Sequence, residues 1–408
     1  MTTATPASGQ EGIVGLGLLV APGVSAAASF ALLPLVLGAL GPALGLSDAA
    51  LGLIASTELG GLALGTVLGA LALRRASRKQ VTLWTLAALV AANLLSMAVS
   101  AASMLFVARG LAGVAAGGAL AACYGGLSRT ARAERNFAIF TLAQLLFGAA
   151  GLELLPTLFS RFDWRAAYGL LTLVGLIGAA AAMAEPRERP AGEGGAEAGA
   201  RRRLTQILLD RSALLALGGV GAYFAAVGAV WTYAERIGVS GGLDAKAVAS
   251  ILAASQVVAI GGALTASVAA GRAPVRLGLL LGSLATAAGM AALIFHPGLV
   301  AYALAVCVIT FAWNYVTAPQ FAAAARVDAD GTVAALLSTV TGLGVAGGPA
   351  LAAGLVGRGF GPMLAVAALL SLGSLALLWP IAGDRAAAAK AQLVAPDAAR
   401  ETSVGLVP

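Results

Sequence analysis

Charged residues are scarce in this sequence. Only 11% of the 408 residues are Asp, Glu, Lys or Arg, whereas 60% are hydrophobic. Soluble domains carry about 25% charged residues, and no single water-soluble core could bury so much apolar surface. The composition therefore excludes an ordinary soluble domain and indicates a protein whose solvent is the lipid bilayer.

Cysteine and histidine are nearly absent. Cys123 and Cys307 are the two cysteines, both in apolar segments, and His296 is the single histidine. Disulfide frameworks and metal centres need several such side chains close together. HExxH, the motif of zinc proteases, does not occur in the sequence. We therefore expect no metal site, no cofactor and no enzymatic activity.

The net charge of +7 at pH 7 would also suit a nucleic-acid-binding protein. Here, however, the Lys and Arg residues lie in short segments between apolar runs, a pattern that concerns membrane topology. We therefore expect lipid and a small solute as partners, and no nucleic acid.

Apolar runs long enough to cross a hydrocarbon layer of about 30 Å recur along the chain. The first six predicted helices cover residues 13–38, 49–73, 81–102, 104–127, 137–159 and 165–184. Six more cover residues 212–234, 246–270, 276–296, 298–322, 332–356 and 361–382. The sequence thus predicts an all-α polytopic membrane protein with twelve transmembrane helices.

The polar segment 185–211 is rich in Gly, Glu, Arg and Pro and separates the two sets of six helices. It predicts a linker between a six-helix bundle over 13–184 and a second bundle over 212–382. Residues 1–12 and 383–408 are predicted tails. Short basic stretches follow the second helix of each half, at 74–79 and 271–276, which favours two related halves.

The positive charges are distributed unevenly between the two sides of the predicted membrane. With the N-terminus inside, 19 Lys and Arg residues fall in cytoplasmic segments and five on the opposite side. This bias predicts that both termini are cytoplasmic. We expect a multi-pass protein of a bacterial inner membrane that acts as a monomer.

Three segments resemble the major facilitator superfamily of secondary transporters. They are GALALRRASRK at 69–79, RGLAGVAAGG at 109–118 and FDWRAAY at 162–168. The resemblance spans the chain from the first predicted helix to the last. It implies two pseudo-symmetric six-helix bundles that work by alternating access around a midplane site.

The family motifs also suggest residues for gating and for helix packing. Arg74 and Arg75 form the basic part of the gating loop, in which Leu73 replaces the aspartate usual in the family. Glycines spaced three or four residues apart allow close approach of helices. The predicted packing residues are Gly110, Gly113 and Gly117, together with Gly344, Gly348 and Pro349 of a glycine and proline pattern resembling that of antiporters.

Ionisable side chains at membrane depth are predicted to couple transport to protons, because each is costly to place there. Glu58 lies near the middle of the second helix, where a carboxylate should face a cavity and exchange a proton as that cavity changes sides. Arg109 and Glu153 are predicted at similar depths. Arg109 could pair with either Glu153 or Glu58, and the sequence leaves both pairings open.

Polar and aromatic side chains within the helices are candidates for binding the solute. The tenth helix has the densest group of them, too deep for an interfacial aromatic belt. No charge is predicted deep in the second half of the chain, so its share of the cavity should be aromatic. The candidate residues are Glu58, Arg109, Gln144, Tyr223, Trp231, Gln256, Trp313, Asn314, Tyr315 and Thr317.

The functional hypothesis is a secondary transporter of a small organic solute, with the proton as coupling ion. Two alternatives are an ion-independent facilitator and a drug or metabolite efflux antiporter. A transporter-derived scaffold or sensor would keep the fold and lose solute binding. Ligand-dependent stabilisation of the purified protein would argue against that last hypothesis.

Overall fold

A computed structural model describes residues 13–99, 101–185, 210–327 and 332–383. Most of the predicted linker and both predicted tails lie outside the described residues. The helices of the first half are α1 (Ile13–Leu44), α2 (Asp48–Ala72), α3 (Arg78–Ala98), α4 (Ala102–Leu127), α5 (Ala133–Phe162) and α6 (Arg165–Ala184). Those of the second half are α7 (Arg211–Ser240), α8 (Ala245–Ala269), α9 (Val275–Leu293), α10 (Leu299–Arg326), α11 (Thr332–Ala353) and α12 (Phe360–Leu378).

The twelve predicted transmembrane helices are confirmed. Each of the twelve helices in the described residues is long and apolar enough to cross a membrane. Two run six residues further than predicted at their C-terminal ends: α1 continues through Pro42 to Leu44, and α7 continues to Ser240. Hydropathy ended both too early, because the extension of α1 contains Gly41 and Pro42 and that of α7 begins with Glu235 and Arg236.

The helices form two bundles, one from α1 to α6 and one from α7 to α12. The bundles meet along a seam in which α2 packs against α11, α5 against α8, and α1 against α7. The turns α2–α3, α4–α5 and α8–α9 lie at the basic end of the molecule. The turns α1–α2, α5–α6 and α7–α8 lie at the opposite end.

Glycines let α2 and α4 pack almost backbone to backbone. A Cβ atom on Gly113 would come within 3.0 Å of the Glu58 carbonyl oxygen, and one on Gly117 would crowd the Leu62 carbonyl. Real Cβ atoms essentially never show such separations. The small residues predicted for packing therefore hold α4 against the segment of α2 that carries Glu58.

A buried ion pair ties α3 to the end of α6 at the basic end. Arg78 Nη1 donates to Glu185 Oε1 over 3.0 Å, and the two side chains are 6% and 4% exposed. Lys79 Nζ donates to the Glu185 carbonyl oxygen at 2.6 Å. Ser77 and Gln80 cap the start of α3 with reciprocal hydrogen bonds. The basic loop thus has a structural part at Arg78 and Lys79, next to the exposed Arg74 and Arg75.

We expect Glu185→Gln to destabilise the first bundle, because it leaves the buried Arg78 charge without its carboxylate. Breaking one side of a buried pair costs about 3–5 kcal/mol. The thermal midpoint of the purified protein in detergent measures the effect. Arg75→Gln removes an exposed charge from the same loop and serves as the matched control. Equal midpoints for the two variants would contradict a structural role for the Arg78–Glu185 pair.

Candidate proton and solute site

Glu58 and Arg109 form a two-pronged ion pair inside the first bundle. Arg109 Nε donates to Glu58 Oε2 at 3.1 Å, and Arg109 Nη2 donates to Glu58 Oε1. The residues are 7% and 1% exposed, respectively. Glu58 is ten residues into α2, or about 15 Å from the opposite end of that helix at 1.5 Å per residue. The pair therefore lies near the middle of the membrane.

A polar shell surrounds this ion pair. Arg109 Nη1 donates to Asn93 Oδ1 at 2.9 Å and to Ser96 Oγ at 3.3 Å. Arg109 Nη2 also donates to Ser29 Oγ at 3.0 Å, and Ser29 Oγ donates to Glu58 Oε1. The guanidinium carbon lies 4.9 Å from the centroid of the Tyr168 ring, in a cation–π contact. Side chains from five helices thus converge on one charge pair.

The enclosure of Glu58 differs from its prediction as a carboxylate that faces a cavity. Since Glu58 accepts hydrogen bonds from Arg109 and Ser29, its charge is compensated within the bundle. Residue counting estimated its position along α2 but could not indicate which way the side chain points.

Glu153 is not the partner of Arg109 in this structure. It is exposed on α5 and accepts a hydrogen bond from Ser250 Oγ of α8 at 3.2 Å. Of the two pairings that the sequence left open, the structure therefore contains the one with Glu58. Similar depth could not decide between the two carboxylates, whereas the structure shows Glu153 on a face of α5 that contacts α8 of the second bundle.

Three aromatic side chains meet across the seam near the centre of the molecule. The ring centroid of Trp313 on α10 is 6.1 Å from that of Phe30 on α1 and 6.4 Å from that of Phe224 on α7, both edge to face. Trp231 Nε1 of α7 donates to the Phe30 carbonyl oxygen at 3.0 Å. Phe30 and Phe224 were not predicted, because a phenylalanine in an apolar helix looks like any packing residue.

The other predicted solute contacts are spread over different environments. Gln256 of α8 packs against Gly148 of α5 within the seam. Asn314 and Thr317 are partly buried and hydrogen-bond to carbonyl groups of their own helix. Gln144 on α5 is also partly buried. These residues retain some accessible surface at or beside the seam.

Tyr223 and Tyr315 point into the second bundle. The Tyr223 hydroxyl is 2.8 Å from Thr286 Oγ1 of α9, and Tyr223 is 0% exposed. Tyr315 packs beside Gly278 and Gly282, also on α9. Tyr223 therefore touches the aromatic cluster only through Phe224, whose ring centroid is 6.1 Å from its own, and Tyr315 stacks on Phe311.

The seam is closed at the opposite end. Arg236 Nε of α7 is paired with Asp48 Oδ1 of α2 at 2.8 Å, and Tyr233 donates to the Asp48 carbonyl oxygen at 2.8 Å. One turn further along α2, a Cβ on Gly52 would lie 2.9 Å from the Pro349 carbonyl oxygen of α11. Further in, Ser56 donates to the Ala346 carbonyl oxygen.

The glycine and proline pattern lets α11 of the second bundle pack closely against α7 on one side and α2 of the first bundle on the other. Cβ atoms on Gly344 and Gly348 would crowd backbone atoms of α7, the first at 2.7 Å from the Gly221 carbonyl oxygen. The other side of α11 carries the Pro349 and Ala346 contacts with α2. The pattern thus lies at the seam, where relative motion of the bundles would act on it.

One buried acidic residue was not predicted from the sequence. Glu235 of α7 is 8% exposed and lies against Gly38 of α1, so close that a Cβ there would overlap its carboxylate. The sequence placed Glu235 just outside the seventh helix, because the predicted helix ended one residue earlier, at residue 234. The end of the seventh helix was predicted from the length of its apolar run, and that run stops at the first charged residue.

Residues 18–349 match the family model described as Major Facilitator Superfamily. Among solved structures, a variant of the nucleoside transporter NupG aligns with a TM-score of 0.73 at 12% identity, covering 90% of this chain and 98% of the other. The D-xylose-proton symporter aligns with a TM-score of 0.71 at 13% identity, covering 90% and 97%. Comparison with the curated proteins gives no significant match.

Proposed function

This chain belongs to the major facilitator superfamily, and on that premise we propose that it moves a small organic solute together with protons. Family membership makes it a membrane transporter and not an enzyme. The solute and the coupling ion are the proposed part. The observation that carries the proposal is the Glu58–Arg109 pair, an ion pair buried at membrane depth.

A proton can act on this pair by neutralising Glu58. The charge of Arg109 then loses its counterion while it remains buried, which is strongly unfavourable. The guanidinium already donates to Asn93 and Ser96, which would remain as its acceptors once Glu58 is neutral. Because Ser29 and Tyr168 also contact the pair, a change in it would be transmitted to α1 and α6.

The proposed solute is neutral and has an apolar or aromatic face. The Glu58–Arg109 pair is neutral overall, so it gives the centre of the molecule no net charge. Phe30, Phe224 and Trp313 supply an apolar surface, and the partly buried amide of Asn314 follows Trp313 on α10. Nucleosides and D-xylose, named for the two aligned transporters, are neutral solutes and form a sensible first panel.

Transport would proceed by rocking of the two bundles around the aromatic cluster. The structure would then be the state closed at the opposite end, held by the contacts of Asp48 with Arg236 and Tyr233. The 19 to 5 distribution of positive charge supports a cytoplasmic basic end, with both termini inside. We propose the inner membrane of a bacterium as the location and a monomer as the working unit.

An ion-independent facilitator is the second candidate, and one observation favours it. Every oxygen of Glu58 is engaged by Arg109 or Ser29, as expected for a permanent structural pair. In that case Glu58 would hold α2, α4 and α1 together without exchanging protons. Efflux of a drug or metabolite in exchange for protons would use the same pair in the reverse direction.

Flux in proteoliposomes tests the proposal. Purified protein is first screened against the neutral panel by thermal shift, and solutes that stabilise it are then followed with a pH gradient imposed in either direction. We expect accumulation of a stabilising solute that depends on the gradient and stops when an ionophore collapses it. Solute counterflow that does not depend on the pH gradient would establish the facilitator. Solute flux in the direction opposite to the proton flux would establish the antiporter.

A further inference from the structure

Glu235 has a carboxylate whose environment does not compensate a charge. In the part of the chain that the structure describes, its Oε2 atom is buried and accepts no hydrogen bond. The residue lies inside a membrane-spanning helix, five residues before the end of α7, or about 8 Å from that end. An ionised carboxylate without donors is expensive in such a place, whereas the neutral acid is far less so.

The groups around Glu235 are already engaged elsewhere. Arg236, its neighbour in the chain, directs its guanidinium to Asp48 of α2. Tyr302 of α10 donates to the Ala234 carbonyl oxygen at 2.6 Å. Tyr233 donates to the carbonyl oxygen of Asp48. From α1, the contact is the backbone of Gly38, which has no side chain to offer.

The position of Glu235 links its charge to the closure of the seam. Gly38 and Glu235 belong to different bundles, so the carboxylate is covered only while α1 and α7 are in contact at the opposite end. Separation of these helices would expose it to water, which stabilises the ionised form. Proton binding and closure of the seam therefore favour each other.

We propose that Glu235 is a second proton-binding site, occupied when the opposite end of the seam is closed and emptied when it opens. This inference extends the proposed transport cycle, but it concerns a site separate from the Glu58–Arg109 pair. The proton would enter from the compartment at the opposite end, since that is where the seam must open. Glu58 would then act within the first bundle and Glu235 between the bundles.

Distance measurements between spin labels test this proposal without any solute. Labels are attached at Ala43→Cys and Ser240→Cys, exposed positions at the ends of α1 and α7, after Cys123 and Cys307 are changed to alanine. As pH rises in the otherwise native protein, we expect the population to move from a short to a long distance. The ratio should change by up to about tenfold per pH unit, the limit for one proton.

The variant Glu235→Gln keeps the shape of the side chain but cannot ionise. We expect it to hold the short distance at every pH, whereas Glu235→Asp should restore a pH-dependent distance. Gly38→Ala should favour the long distance, because its methyl group overlaps the buried carboxylate. Near-ultraviolet circular dichroism at the lowest pH confirms that each variant is folded.

Two results would overturn the proposal. One is an unchanged pH dependence in Glu235→Gln, and the other is a distance in the native protein that ignores pH. Neither result requires a measurement of transport. If the distance between the labels depends on pH but transport does not respond to the proton gradient, the proposed coupling is refuted. The Glu235 site is then retained.

Discussion

Replacement of Glu58 by glutamine should abolish proton-driven accumulation of the solute. Glutamine preserves the size of the side chain and one acceptor for Arg109, but it cannot bind and release a proton. The buried guanidinium would also lose its counterion, at a cost of about 3–5 kcal/mol. Initial accumulation rates under an imposed pH gradient measure the first effect, and we expect a decrease of at least about tenfold, equivalent to 1.4 kcal/mol.

The loss of coupling must be separated from the loss of stability. In Glu58→Gln combined with Arg109→Gln, neither charge remains, so the midpoint of thermal unfolding should recover part of the way towards that of the native protein. Proton-driven accumulation should not recover with it. Glu134→Gln, at an exposed position in the first turn of α5, is the matched control for removal of a carboxylate.

Two outcomes would change the role of this pair. If Glu58→Gln retained gradient-dependent accumulation, the pair would be a structural clamp and the coupling would lie elsewhere. If the double variant recovered accumulation together with stability, transport would need only a neutral site between α2 and α4. The facilitator interpretation predicts neither outcome, because in it Glu58 has no proton to exchange and the native protein itself would show no gradient-driven accumulation.

The helices and the packing of α4 could be predicted from the sequence because both depend on local patterns. Long apolar runs specify membrane spans, and glycines such as Gly113 and Gly117 specify close contact at fixed spacing along one helix face. Those patterns do not depend on which other helix lies opposite. For the same reason, the depth of Glu58 could be estimated from residue counting alone.

The partners of the charged residues could not be predicted in the same way. Arg109 had two carboxylates at similar depth, and only the packing of α2 against α4 brings Glu58 to it. Glu235 follows an apolar run directly, so hydropathy alone suggested a helix end. Its burial depends on Gly38, a residue about two hundred positions earlier, and no local pattern indicates that contact.

Adding a single methyl group at Gly113 should disturb the same pair without altering any charge. The Cβ atom of alanine would overlap the Glu58 carbonyl oxygen, so α2 and α4 must separate by about an ångström to reach ordinary packing distances. Overpacking of this kind costs about 1–3 kcal/mol. We expect Gly113→Ala to lower the thermal midpoint and to reduce proton-driven accumulation.

Gly60 provides the control because it lies on α2, close to Glu58, and a Cβ there meets nothing within 4 Å. Gly60→Ala should leave both quantities near their native values, or raise stability slightly through helix propensity. If Gly113→Ala had the same thermal midpoint and the same accumulation as Gly60→Ala, close approach of α2 and α4 would not be needed to position Glu58. If Gly113→Ala lost stability but kept full coupling, the pair would tolerate a shift of its backbone, and the hydrogen bonds that Arg109 donates to Asn93 and Ser96 would be the contacts that hold it in place.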